Sequence, residues 1–120
     1  MFISKNMLIF AAEPQKNDWI MNFRIEETDD KYQVTLEGEM DTAAVRDIKG
    51  QIETLYKGDK DVVIDCSSLT YISSSGLRIL LNILKAANHN GKSVTLCGVN
   101  DDVRNVFVIS GFVNLFKLES

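Results

Sequence analysis

Asp65-Cys-Ser-Ser-Leu-Thr-Tyr-Ile-Ser-Ser-Ser-Gly-Leu77 is the stretch whose reading decides the fold. The run that enters it, Asp61-Val-Val-Ile-Asp65, is short and apolar, as a central parallel strand requires. A short loop is predicted after Asp65, and Ser73, Ser74 and Ser75 then open an apolar helix. A serine is common at a helix start because its hydroxyl satisfies a free backbone N–H. One serine is enough for that, so the other two hydroxyls carry no structural duty. Helix N-termini also favour negative charge, so the fold would tolerate a phosphate here. The loop therefore reads as a phosphorylation switch as well as a cap.

The flanking sequence supplies the rest of an α/β domain. Phe23-Arg-Ile-Glu26 alternates, Asp29-Asp30 marks a turn, and Tyr32-Gln-Val-Thr-Leu-Glu37 alternates again, which is a hairpin signal. Gly38 breaks the run, and Asp41 can cap a helix from Thr42 in which Val45, Ile48, Ile52 and Leu55 recur at helical spacing until Gly58. The helix after the serines is predicted to run to Asn88-His89-Asn90 and to stop at Gly91. Ser93-Val-Thr-Leu-Cys97 is a further strand. Asp101-Asp102 is predicted to cap a third helix through Val103, Val106 and Phe107, ending at Gly111, and Val113 to Leu118 a last strand. Helices alternating with short apolar strands predict a mixed sheet of four to five strands with three to four helices and right-handed crossovers.

In the second helix, Arg78, Asn82, Lys85 and His89 share one narrow stripe when residues are placed ~100° apart. Apolar residues fill nearly all the remaining circumference. Either neighbouring elements cover both flanks, or a flank near Ile79 and Ile83 is offered to a partner.

At 120 residues and 45% hydrophobic content the chain supports one domain with one core. Residues 21–120 form the module. Residues 1–20 hold the only Pro and the only Trp without sustained periodicity, and read as a tail, an extra strand or a non-native start before Met21. The net charge of −4 argues against nucleic-acid and anionic-membrane binding. No stretch approaches the ~20 apolar residues of a membrane helix, and a cytoplasmic location is expected. Cys66 and Cys97 form no CxxC motif and are expected to be reduced, acting as small hydrophobes.

Enzyme chemistry finds little support. The only histidine, His89, lies some fifteen residues beyond Ser74 on one helix, or ~20 Å away at 1.5 Å per residue. A lone histidine with scattered cysteines gives no zinc set, and the glycines match neither a P-loop nor a dinucleotide fingerprint. No catalytic residue, metal or cofactor is expected.

The serine stretch resembles the signature of STAS domains, the group that includes bacterial anti-sigma factor antagonists. Their pattern is a strand, then Asp-x-Ser-x-Leu-x-Tyr/Phe-Ile/Met-Asp/Ser-Ser-Ser/Ala-Gly-Leu, then a helix. Gly38-Glu39-Met40-Asp41 resembles the family's Gly-Glu-Leu/Ile-Asp, and Ser110-Gly111-Phe112 with Leu115-Phe116 resembles its last turn and strand. The resemblance covers residues 21–120. It implies a phosphoacceptor two residues before the glycine, which is Ser74, with Ser75 and Ser73 as alternatives. The best-known members carry Asp at the position of Ser73.

The resemblance further implies a docking face formed by Glu39, Asp41, Ser73, Ser75, Gly76, Arg78 and Ile79. The implied partner is an anti-sigma factor that is itself a serine kinase, bound when Ser74 is unmodified and released on phosphorylation. A metal-dependent serine phosphatase would reset the switch. The alternative is a constitutive STAS-type scaffold or subunit of a lipid-transport or stress-sensing complex, with Ser74 never modified.

Overall fold

A computed structural model of the chain describes residues 22–119. The expectation for residues 1–20 lies outside the described residues. A hairpin comes first, β1 (Asn22–Glu27) and β2 (Lys31–Met40), followed by α1 (Thr42–Ile52) and a 3₁₀ turn (Glu53–Lys57). Then come β3 (Asp61–Ile72), α2 (Ser74–His89), β4 (Val94–Cys97), α3 (Asp101–Ser110) and β5 (Lys117–Glu119).

The strands lie in the order β1-β2-β3-β4-β5, with β1 antiparallel to β2 and every later pair parallel. Each parallel connection adds its strand on the same side of the last. Right-handed crossovers then put all three helices over one face of the sheet. Burial follows from that: Phe23 and Ile25 on β1 and Tyr32, Val34 and Leu36 on β2 are buried, while the residues between them are not.

Four expectations are corrected. Gly38 does not end β2: it holds a left-handed φ of 96° at a register shift, and β2 runs on to Met40. The segment after Asp65 is not a loop: β3 continues for twelve residues to Ile72, beside Glu37 to Met40 of β2. Asn100, rather than Asp101 or Asp102, caps α3, its Oδ1 accepting the Val103 N–H at 2.8 Å. Finally, 113–116 is a turn. The amides of Phe112 and Val113 both bond back to the Phe107 carbonyl, and Phe116 turns inward edge-to-face on Phe107, with centroids 5.6 Å apart. Only Lys117–Glu119 is left to pair with β4.

The apolar surplus of α2 is resolved in favour of cover on both flanks. Ile83 is 1% and Ile79 9% exposed, whereas Arg78, Asn82, Lys85 and His89 all face solvent. Each such buried side chain stabilises the fold by about 1.5–3 kcal/mol.

Candidate functional site

The site begins with a difference in strand length. Pairing of β3 with β4 stops at Asp65 opposite Cys97, whereas β2 stays beside β3 as far as Met40 opposite Ile72. β2 and β3 therefore project beyond β4, and each turns directly into a helix. The N-termini of α1 and α2 open side by side, joined by the Ser73 N–H donating to the Met40 carbonyl at 2.9 Å.

Each helix start is capped. Asp41 Oδ1 accepts the Ala44 N–H at 2.8 Å, and Ser73 Oγ accepts the Gly76 N–H at 3.1 Å. Serine and aspartate serve comparably as N-caps, so Ser73 does here what an aspartate at this position would do. The Thr42 and Ser75 hydroxyls lie 3.4 Å apart and bridge the two helices. Ser74 lies between Ser73 and Ser75, exposed, with its hydroxyl in no hydrogen bond to another described residue. The three adjacent serines have three different environments.

Gly76 explains how α2 comes so close to the strand ends. A Cβ at this position would lie 2.8 Å from Ile72 Cγ1 and 3.0 Å from Met40 Cγ. Its φ is not positive, so close packing rather than backbone freedom requires glycine.

The sequence-based contact residues divide accordingly. Glu39 and Arg78 are exposed, and Arg78 follows Ser74 by one turn on the same face of α2. Asp41, Ser73 and Ser75 are partly exposed, with their side chains already engaged. Gly76 and Ile79, also expected at the docking face, are buried in the packing beneath the rim. Two rim residues were missed. Tyr71, 49% exposed, lies in register with Glu39, and Thr42 bridges to Ser75. Tyr71 became visible only once its segment proved to be a strand, and Thr42 only once the two helix starts proved to be neighbours.

The electrostatics agree with a site for recognition. Two helix N-termini bring partial positive charge to the rim. Behind it, Asp65 Oδ1 accepts the Ser67 N–H at 2.9 Å and the Ser67 hydroxyl at 2.7 Å, and these bonds hold its carboxyl below the usual range. Burial pushes the Cys66 thiol up to about 12 and raises that of Cys97, so neither is a thiolate at neutral pH. Both cysteines are free. His89 stands at the opposite end of α2 from Ser74. Among the described residues no group of three or more His, Cys, Asp or Glu is placed to hold a metal ion, and no helix is long and apolar enough to cross a membrane.

These features define a class: a small α/β domain with two capped helix starts and an exposed serine on one rim of its sheet. The STAS domain family model matches residues 22–120, and the chain belongs to this family. An anti-sigma-B factor antagonist of Staphylococcus aureus is 32% identical over 101 residues, covering 82% of this chain and 94% of that protein. SpoIIAA, an anti-sigma factor antagonist, has been solved in its unphosphorylated form. That structure is 25% identical with a TM-score of 0.69, covering 82% of this chain and 88% of that one. A structure of the Bacillus cell fate determinant SpoIIAA in the phosphorylated form has a TM-score of 0.61 at 24% identity, covering 82% and 91%, a likeness of fold.

Proposed function

We propose that this protein is an anti-sigma factor antagonist, a binding module acting in the cytoplasm and gated by phosphorylation of Ser74. One observation carries the choice of residue. Of the three adjacent serines, Ser73 is used as a cap, Ser75 is bridged to Thr42, and Ser74 alone is exposed with its hydroxyl unengaged by any other described residue. Similarity to anti-sigma factor antagonists supports the partner class, and similarity to SpoIIAA, solved in an unphosphorylated form, supports phosphorylation as the modification.

In the unmodified state, the rim of Glu39, Thr42, Tyr71, Ser74 and Arg78 docks onto an anti-sigma factor and frees the sigma factor. That partner is a serine kinase, which transfers the γ-phosphoryl group of its own ATP to the Ser74 oxygen. Phosphate adds about −1.5 to −2 charges at the centre of the contact. Desolvating it against an unmatched surface costs several kcal/mol, on the order of a hundredfold or more in affinity. The fold itself tolerates the group, because Ser74 is the first residue of α2 and the helix N-terminus favours negative charge. A metal-dependent serine phosphatase returns the module to its binding form.

A serine in place of the aspartate at position 73 is the feature that would favour the constitutive-subunit reading. Ser73 caps α2 as an aspartate would, so that substitution no longer argues against a switch.

The test is Ser74→Asp beside Ser74→Ala, with binding to the anti-sigma factor measured by calorimetry. The aspartate variant is expected to bind about a hundredfold more weakly, with its melting temperature within a few degrees of wild type. The alanine variant is expected to bind as wild type and to resist phosphorylation. Equal binding by all three proteins contradicts the proposal.

A further inference from the structure

The rim is carried by a strand extension that is held unequally on its two sides. From Cys66 to Ile72, β3 has β2 on one side, in a ladder with two register shifts. On the other side β4 has ended, since Asp65 opposite Cys97 is the last pair. Among the described residues, the side chain that reaches across this gap is Asn100. Its Nδ2 donates to the Leu69 carbonyl at 2.9 Å, while its Oδ1 caps α3 by accepting the Val103 N–H at 2.8 Å. The approach is close. Gly98, at φ 71°, lies against Ser67, and a Cβ there would come within 2.9 Å of Ser67 Cβ.

We propose that Asn100 is a positioning residue for the serine loop, tying the free side of the β3 extension to the start of α3 and so fixing where Ser74 is presented. The role of Ser74 rests on the function proposed above, whereas the tie itself does not. An amide side chain suits both duties, because it offers an acceptor to the helix and a donor to the strand carbonyl. Aspartate and serine can cap equally well but cannot make the tie. A carboxylate has no hydrogen to donate and sets an oxygen against the Leu69 carbonyl, and a serine hydroxyl is too short to do both. The loop lies four residues beyond Leu69, so slack in the extension is passed on to Ser73 and Ser74 as loss of position. Recognition that depends on the placement of one hydroxyl is sensitive to such loss.

Asn100→Asp and Asn100→Ser separate the two duties, and two variants guard against one that fails to fold. Hydrogen exchange of the full chain is expected to speed up ~5- to 10-fold at residues 68–73, as for loss of one hydrogen bond, with the α3 amides still protected. The phosphorylated fraction of the Ser74 peptide, measured on protein isolated from its native cells, is expected to fall in both variants. Unchanged exchange at 68–73 in either folded variant overturns the tie. Faster exchange with undiminished Ser74 phosphorylation overturns its role in presenting the acceptor. Absence of phosphate from Ser74 in the wild type as well counts against the proposed function, and the exchange data then still decide the tie.

Discussion

The two ends of the sheet spend their polar groups in opposite ways. At the end away from the serine loop, the Tyr32 hydroxyl donates to Asp59 at 3.0 Å from a ring that is 1% exposed. Lys60 pairs with Glu27 at 2.6 Å, donates to the Thr28 carbonyl at 2.7 Å and stands 5.4 Å from the Tyr32 ring centre. Burial, followed by the bond and charge of Asp59, raises the Tyr32 pKa well beyond the ordinary tyrosine value. There the polar groups satisfy one another. At the serine-loop end Glu39, Ser74, Arg78 and Tyr71 face solvent, and order comes from caps and close packing beneath them. One end ties its polar groups to one another, while the other leaves them facing solvent.

Tyr32→Ala is the largest blow to the closed end. It removes a buried aromatic ring and leaves Asp59 without its donor, at a cost of roughly 4 kcal/mol in chemical denaturation. Partner affinity of the protein that remains folded is expected to be unchanged. A large loss of affinity there would break the division between the two ends.

Gly76→Ala sharpens the contrast from the other side. The added methyl group must displace Ile72 or Met40, and overpacking of this kind costs about 1–3 kcal/mol. Because the same contact sets α2 against the strand ends, binding is expected to weaken along with stability. An alanine variant as stable as wild type would show that the rim is not held by this contact.

Asp65→Asn gives the smallest effect, visible as a change in pH dependence. The folded pKa of Asp65 is depressed by the Ser67 bonds. Its stabilisation is therefore fully present above the ordinary carboxylate value of about 4 and is lost as pH falls through the lower folded value. The asparagine variant is expected to be less stable at neutral pH and to lose less on acidification below about pH 4. Parallel stability curves for the two proteins would contradict this.

The same contrast explains what the sequence could tell. Where local pattern and tertiary structure agree, the elements were legible: the β1–β2 hairpin, α1 with its Asp41 cap, the core of β3 and the long α2. The second half of β3 was not. Cys-Ser-Ser-Leu-Thr-Tyr has lost strict alternation because of the register shifts, and it is a strand only because β2 runs on past Gly38 to pair with it. The last strand shrank for a related reason, since burial of Phe116 against Phe107 overrides the extended pattern of 113–116. The motif did locate the serine loop. It pointed to Ser74 and kept Ser75 and Ser73 as alternatives, because which hydroxyl caps, which bridges and which stays free depends on the spatial neighbours Gly76 and Thr42.

That distinction among the serines is the central claim, and mass spectrometry of the protein isolated from its native cells tests it most directly. The peptide spanning Ser73 to Ser75 would be measured with and without phosphatase treatment. The account predicts a single phosphate that phosphatase removes, with fragmentation placing it on Ser74. A phosphate on Ser73 or Ser75, or an unmodified peptide under every growth and stress condition, would contradict it.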